Sequence, residues 1–169
     1  MSAETRQAVA NNPKLVFTNQ SFVTAEQQKN DILRTWEQGG VQSTVVAHIQ
    51  WMLGKGYTIG ITCLRTGHSV STSKYGHNPA GCCYDGWLMN STTPGDWAKA
   101  GTDLFYTYLR DIGLSEYARQ TGLTGDGSDT PDCFHYAIKG YEQRNAYVSG
   151  QSVFQDSGSP HVHTGCWTD

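Results

Sequence analysis

The sequence contains no long hydrophobic run. No stretch approaches the roughly 18 consecutive apolar residues of a membrane-spanning helix, so we predict no membrane span. The opening segment MSAETRQAVANNPK is polar and lacks the apolar core of a secretory signal. We therefore expect synthesis in the cytoplasm without a signal peptide, and a substrate outside the cell would require another route of delivery.

Basic residues are also scarce. Lys and Arg total 12 against 15 Asp and Glu, the formal net charge is -3, and no basic block occurs, so no nucleic-acid partner is expected. The five cysteines form no CxxC pair, which argues against a zinc knuckle built from thiolates. Their odd number in a chain without a signal predicts free thiols, buried as small apolar side chains, at Cys63, Cys82, Cys83, Cys133 and Cys166.

Apolar and aromatic residues are nevertheless sufficient for a folded core. The hydrophobic fraction is 37%, with nine Tyr and five Trp, which excludes a disordered chain. A length of 169 residues fits one domain, and no internal repeat or linker divides it. We predict a single domain over residues 1–169, with a core over about 41–167 and an N-terminal helical segment over 1–40.

Three segments show the periodicity of amphipathic helices. Thr24 and Gln27 form a capping box, which predicts a helix from residue 24 to about residue 38. Further helices are predicted from a cap at Ser43 to Gly54 or Gly56, and over residues 96–112. Their buried faces are expected to contain Ile32, Leu33 and Trp36 in the first, Val45, Val46, Ile49, Met52 and Leu53 in the second, and Trp97, Leu104, Phe105, Tyr108 and Leu109 in the third.

Three other segments have the character of strands. They are YTIGITCL over residues 57–64, a short segment over 82–88, and SPHVHTGCW near the C-terminus. Together with the helices they predict an α+β fold, in which a small, mostly antiparallel sheet carries the functional site and helices flank it. His48 in the second helix and His135 are interpreted as structural residues.

Two short motifs indicate a metal site. In His161-Val162-His163, residues two apart on a strand point to the same face, so two imidazoles project together. In the segment YGHNPAGCCYD, His77 and Asp85 lie on either side of a glycine-containing turn. Nitrogen and carboxylate ligands suit Zn²⁺, and three protein ligands leave one coordination position open, as in catalytic zinc sites.

Arg65 directly follows the strand YTIGITCL. A guanidinium in this position could hold a substrate carboxylate or stabilise an oxyanion through paired N–H donors. Asp126, Asp129 and Asp132 lie in a polar loop whose spacing does not match the EF-hand pattern, so we interpret that loop as solvated.

The order of these motifs resembles the zinc peptidases grouped as lysostaphin, D-alanyl-D-alanine peptidase and hedgehog. Their pattern is roughly S-x-H-x-x-G-x-A-x-D, followed much later by H-x-H. The resemblance spans residues 41–167 and implies that His77, Asp85 and His163 bind one Zn²⁺ per chain. It further implies that His161 acts in catalysis and that Arg65 assists with the substrate or the intermediate.

Three departures from the family pattern bear on the site. Asp85 is eight residues after His77 instead of seven, which on a rigid strand would turn its carboxylate to the wrong face. We expect the turn at Pro79 and Gly81 to absorb the extra residue. Cys83 replaces the small residue two positions before the aspartate. Pro160 stands where some relatives have an acidic base, so the proton-transfer role must fall to His161 or to another group.

The resemblance implies a zinc-dependent peptidase that cleaves peptide bonds in bacterial peptidoglycan. A phage-encoded cell-wall lytic enzyme (an endolysin) would act after release or as a virion component. Two alternatives stay open. One is a non-catalytic virion structural or binding module that keeps the fold and metal site, with virion proteins as assembly partners. The other is a cysteine amidase in which Cys133 is the nucleophile and a late histidine is the base.

Overall fold

The computed structural model describes residues 1–67, 76–99, 101–118 and 161–167. Within these ranges the helices are α1 (Ala3–Ala10), α2 (Ala25–Leu33), α3 (Ser43–Gly54) and α4 (Asp103–Leu114). The strands are β1 (Leu15–Phe17), β2 (Ile59–Cys63), β3 (Cys83–Leu88) and β4 (Val162–Gly165). None of the helices in these ranges has both the length and the apolar character needed to cross a membrane.

The strands form one sheet in the order β1-β2-β3-β4, which confirms the α+β prediction. The sheet is mixed: β1 is parallel to β2, whereas β2–β3 and β3–β4 are antiparallel. Parallel neighbours require a crossover connection, and here α2 and α3 supply it. The N-terminal segment predicted to be helical therefore also contributes an edge strand, which is too short to show a clear alternating pattern.

Helix α2 begins as predicted and ends early. Gln27 donates its backbone N–H to Thr24 Oγ1 at 3.1 Å, and Thr24 N–H is bound by Gln27 Oε1 at 2.9 Å, which completes the capping box. The predicted end near residue 38 is wrong because the chain becomes extended at Arg34. The buried Arg6 guanidinium donates to the carbonyls of Ile32 and Arg34. These carbonyls are therefore bound by a side chain instead of by the N–H groups of a further helical turn. Trp36 is consequently 44% exposed instead of buried.

Helix α4 begins seven residues later than predicted. Thr102 caps it by accepting the N–H of Phe105, while the preceding Trp97 forms an isolated β-bridge with Met89. Sheet-like pairing at the end of β3 thus overrides the helical periodicity of residues 96–102. Phe105, Tyr108 and Leu109 are buried as predicted, but Leu104 is 56% exposed.

The two faces of β3 have different environments. Successive side chains of a strand point to opposite faces of the sheet. Tyr84 donates its O–H to His48 Nδ1 of α3 at 2.8 Å, so α3 and its apolar core residues lie on the Tyr84 face. Cys83 and Asp85 belong to the opposite face. Strand β3 therefore separates the hydrophobic core around α3 from the polar residues described below.

Candidate metal centre

A row of polar side chains crosses the centre of the sheet. Asp85 of β3 is directly opposite His163 of β4 and, on its other side, opposite Cys63 of β2. Cross-strand partners project from the same face. The second pairing results from a β-bulge. Ile61 pairs with Gly86 and Cys63 pairs with Asp85, so a step of two residues along β2 matches a step of one residue along β3. The bulge turns Cys63, in place of Thr62, towards Asp85.

His77 reaches this row from a tight turn before β3. Gly81 donates its N–H to the His77 carbonyl at 2.7 Å. Gly81 has φ +60°, and a Cβ there would lie 3.1 Å from the carbonyl oxygen of Gly40, so glycine suits this position both for its conformation and for its small size. His77 Nε2 lies 3.2 Å from Asp85 Oδ1. The eight-residue spacing therefore does not separate the two side chains.

Three imidazoles surround the Asp85 carboxylate. Oδ1 lies 3.2 Å from His77 Nε2 and 3.0 Å from His163 Nδ1, and Oδ2 lies 3.6 Å from His161 Nε2. The His77 and His163 ring centroids are 5.1 Å apart at an interplanar angle of 73°. We call His77, Asp85, His161 and His163 the His–Asp cluster. As the H-x-H spacing predicted, His161 and His163 both approach one carboxylate.

A backbone contact orients His77. Its Nδ1 hydrogen-bonds the Leu64 carbonyl. Because a carbonyl can only accept, Nδ1 carries the proton and Nε2 is the atom that faces Asp85. Histidines that bind metals commonly use their second nitrogen in this way, which fixes the tautomer and the ring orientation. His77 is thus arranged to offer Nε2 as a ligand.

His77 and Asp85 are buried, His161 and His163 are partly buried, and the charges of neighbouring groups shift several of their pKa values. Burial by itself lowers the pKa of His77 and of His163, but the negative charges of Cys83 and Asp85 and the hydrogen bonds to them outweigh it. The pKa of His77 is raised well above its ordinary value, and that of His163 is raised to about 9. Burial would raise the pKa of Asp85, yet the charges of His77 and His161 hold it well below its usual range. Positive charge beside the buried Asp85 carboxylate therefore stabilises its ionised form.

Two cysteines, Cys63 and Cys83, belong to the same centre, whereas their sequence context predicted only free, buried thiols. Burial raises the pKa of the Cys63 thiol. It also tends to raise the pKa of Cys83, but the charges of His163 and His77 reverse this and lower it to about 7. The spacing of Cys83 and Asp85, two apart on a strand, already indicated a shared face. Cys63 gave no such signal, because its orientation depends on the bulge.

The centre could hold a metal ion. The ligand atoms of His77, Cys83 and His163 all lie within 4.8 Å of one another, as do those of Cys63, His77 and Asp85. Two ligands of a tetrahedral ion with bonds of about 2.0–2.1 Å lie about 3.3 Å apart. The separations of 3.0 and 3.2 Å from Asp85 Oδ1 to the two histidine nitrogens are close to that value. Each of the two groups combines His77 with a cysteine, so the donors that could hold one small cation are thiols, imidazoles and a carboxylate.

Arg65 is not part of this arrangement. Its Nη1 donates to the carbonyls of Trp36 and Gly40, both at 2.8 Å, and its guanidinium lies 5.9 Å from the centre of the Trp36 ring. Within the described ranges, its side-chain hydrogen bonds thus go to the loop that follows α2. Its role in substrate binding stays a prediction.

His48 is a core residue, and the other candidates of the sequence analysis lie outside the described residues. His48 is fully buried, with Nδ1 bound to Tyr84 and Nε2 3.3 Å from the Ile112 carbonyl. These candidates are His135, Cys133, Pro160 and the aspartates 126, 129 and 132.

Comparison of the chain with protein-family models, with curated proteins and with solved structures finds no match. The observations that bear on function are therefore the geometry of the candidate metal centre and the order of the sequence motifs.

Proposed function

We propose that this protein is a zinc-dependent peptidase that cleaves peptide bonds in bacterial peptidoglycan. The observation that carries the proposal is the convergence of His77 Nε2 and His163 Nδ1 on Asp85 Oδ1, at 3.2 and 3.0 Å. In the proposed site His77, Asp85 and His163 hold one Zn²⁺ per chain. Two imidazoles and a carboxylate are ligands that zinc accepts in catalytic sites.

The bound ion would supply Lewis acidity and activation of water at neutral pH. The protein contributes the orientation of its ligands. The Leu64 carbonyl fixes His77, and the pairing of β3 with β4 places His163 opposite Asp85. These groups are held by the sheet and by a short turn, so the ligands are preorganised on rigid elements.

His161 is the proposed proton-transfer residue. Its Nε2 lies 3.6 Å from Asp85 Oδ2, and its side chain is 22% exposed, against 15% for His163 and 6% for Asp85. It is thus the member of the His–Asp cluster most open to a substrate. In the proposed reaction His161 would take a proton from the attacking water and pass it to the leaving amine, with Asp85 Oδ2 beside its ring.

Arg65 is proposed to hold a carboxylate of the substrate. Both N–H groups of Nη1 serve the carbonyls of Trp36 and Gly40, which fixes the plane of the guanidinium. The N–H groups of Nε and Nη2 are then the donors proposed for the substrate. An arginine fixed in this way loses little further freedom on binding a carboxylate.

The substrate class rests on the resemblance of the motif order to the lysostaphin, D-alanyl-D-alanine peptidase and hedgehog group. We infer from it a cell-wall lytic enzyme, encoded by a phage, that acts on the wall after release or as a virion component. The substrate is then a peptide of peptidoglycan.

A second candidate function is a non-catalytic virion structural or binding module that keeps the same metal site. One observation favours it: His77 and Asp85 are only 2% and 4% exposed, as is common for structural metal ligands. Zinc in the purified protein without any turnover of cell walls is the signature of this candidate.

The proposed activity is tested by incubating the full chain with purified peptidoglycan and measuring newly released amino groups. We expect cleavage that a chelator abolishes and added zinc restores. His161→Ala is expected to keep its zinc and to lose activity by about 10²–10⁴-fold, the usual contribution of general acid–base catalysis. Metal loss in this variant would mean that His161 and His163 exchange roles. Cleavage that survives chelation and is blocked by thiol alkylation would indicate the Cys133 enzyme instead.

A further inference from the structure

Cys83 lies beside the proposed zinc ligands and is completely buried. It precedes Asp85 by two residues on β3, so both side chains project from one face. Its partner on β4 is Gly165, which has no side chain. No bulky neighbour on β4 therefore lies opposite the thiol.

The position of the sulfur fits a ligand. The ligand atoms of Cys83, His77 and His163 all lie within 4.8 Å of one another. These residues come from the turn before β3, from β3 itself and from β4, so three different backbone segments direct their donors to one point. A sulfur at such a point is near enough to join an ion that binds both imidazoles.

Charge balance in the buried site favours binding of the Cys83 sulfur as a thiolate. A dication held by two neutral imidazoles and one carboxylate leaves one uncompensated positive charge in a buried site. Uncompensated buried charge is costly, because water no longer solvates it. One thiolate makes the ion and its ligands neutral. We propose that Cys83 is a fourth protein ligand of the metal, which completes a set of two imidazoles, one carboxylate and one thiolate.

The same argument assigns this role to Cys83 and not to Cys63. Cys63 Sγ also lies within 4.8 Å of the ligand atoms of His77 and Asp85, but it donates to the carbonyl of Leu64 at 3.6 Å, a contact that only a protonated thiol can make. A second thiolate would also give the site a net negative charge. Cys63 still lies in the same row of residues, opposite Asp85, and therefore provides a matched control.

This inference rests on the metal site of the proposed function, and it changes the number of coordination positions that are open to a substrate. Four protein ligands fill a tetrahedral shell, as in structural zinc sites, whereas catalytic sites keep one position open. Hydrolysis then requires that the thiolate of Cys83 leaves the ion when the substrate enters. The donor set, with nitrogen, oxygen and sulfur, is one that Zn²⁺ and Co²⁺ both accept.

Cobalt reports directly on the ligands. We would load the metal-free full chain with Co²⁺ and record its near-ultraviolet spectrum, in which a cobalt–thiolate bond gives a charge-transfer band. Wild type and Cys63→Ser are expected to show the band, and Cys83→Ser is expected to lose it. Metal affinity should fall by more than about 100-fold in Cys83→Ser, because even residues that only support a ligand contribute 10–100-fold.

Each result separates the two proposals. Cobalt bound without a charge-transfer band in the wild type would overturn the role of Cys83 and leave the His77, Asp85 and His163 site intact. Loss of the band in Cys63→Ser alone would assign the thiolate to Cys63. Failure of the wild type to bind cobalt or zinc would overturn the metal site itself. If Cys83→Ser does not fold, X-ray absorption of the zinc-loaded wild type decides, through the presence or absence of sulfur at about 2.3 Å from zinc.

Discussion

Two histidines beside the same strand differ sharply in their electrostatics. His48 meets Tyr84 on one face of β3, and His163 meets Asp85 on the other. Burial lowers the pKa of His48 to about 4. It acts in the same direction on His163, yet the charge of Cys83 and the hydrogen bond to Asp85 raise that pKa to about 9. Burial alone therefore does not set the charge of a histidine; the charges of its partners do.

The partners of His48 keep it neutral. The Ile112 carbonyl can only accept, so Nε2 carries the proton, and Nδ1 then accepts the O–H of Tyr84. Both ring nitrogens are satisfied without a charge, which suits a fully buried position. This residue links α3, β3 and α4, and its role is structural.

The partners of His163 instead demand positive charge. In the metal-free protein, the raised pKa values of His77 and His163 favour their positively charged forms beside Asp85 and Cys83. A metal ion requires deprotonated ligands, so its binding would replace these protons. The negative charges that raise the pKa values of His77 and His163 are also those expected of a cation site. Variants on the two faces of β3 should therefore differ in their effect on metal binding.

The largest expected difference is in zinc content. His163→Ala should lose the single zinc of the purified protein, because removing one of the two imidazole ligands leaves too few donors to hold the ion. His48→Gln should keep it, because a glutamine amide can serve both Tyr84 and the Ile112 carbonyl on the other face. Zinc per chain is measured by elemental analysis. Full retention of zinc in His163→Ala would remove that residue from the site.

The sequence predicted the parts of the fold that depend on local periodicity. Helix α3 and strands β2, β3 and β4 lie where their apolar patterns placed them, with small differences at their ends. The capping box at Thr24 is confirmed because it is a purely local arrangement. The H-x-H spacing likewise placed two imidazoles on one face without knowledge of the rest of the fold.

Features set by distant contacts were not predictable. The end of α2 depends on Arg6, which is 26 residues away from the carbonyl of Ile32. The start of α4 depends on the pairing of Trp97 with Met89. The orientation of Cys63 depends on a bulge whose register only the partner strand defines. These are tertiary effects, and they override local preference.

The second expected difference between the two faces of β3, smaller than the difference in zinc content, is an acid dependence of stability that comes from His48. Its pKa is about 4 in the folded protein and 6.5 in the reference state, so the unfolded chain binds the proton more readily in this window. Stability should therefore fall as the pH drops from about 6.5 to about 4, by about 3 kcal/mol at most. Urea unfolding of the zinc-free protein at several pH values measures it.

His48→Gln is the control for this window. It removes the titrating group and leaves the acidic and histidine residues of the other face in place, so the difference between the two pH profiles isolates His48. Parallel profiles for wild type and His48→Gln would show that another group causes the acid dependence.

The smallest effect concerns the hydroxyl of Tyr84. Tyr84→Phe leaves the buried Nδ1 of His48 without its donor, which should lower the free energy of unfolding by about 1–3 kcal/mol. The acid dependence should persist, because burial and not the hydroxyl lowers the pKa of His48. Zinc content should not change, since Asp85 projects from the opposite face. Urea unfolding and elemental analysis test all three points. A loss of zinc in Tyr84→Phe would mean that the two faces are coupled through the backbone of β3, and that the His48 contact helps to position Asp85.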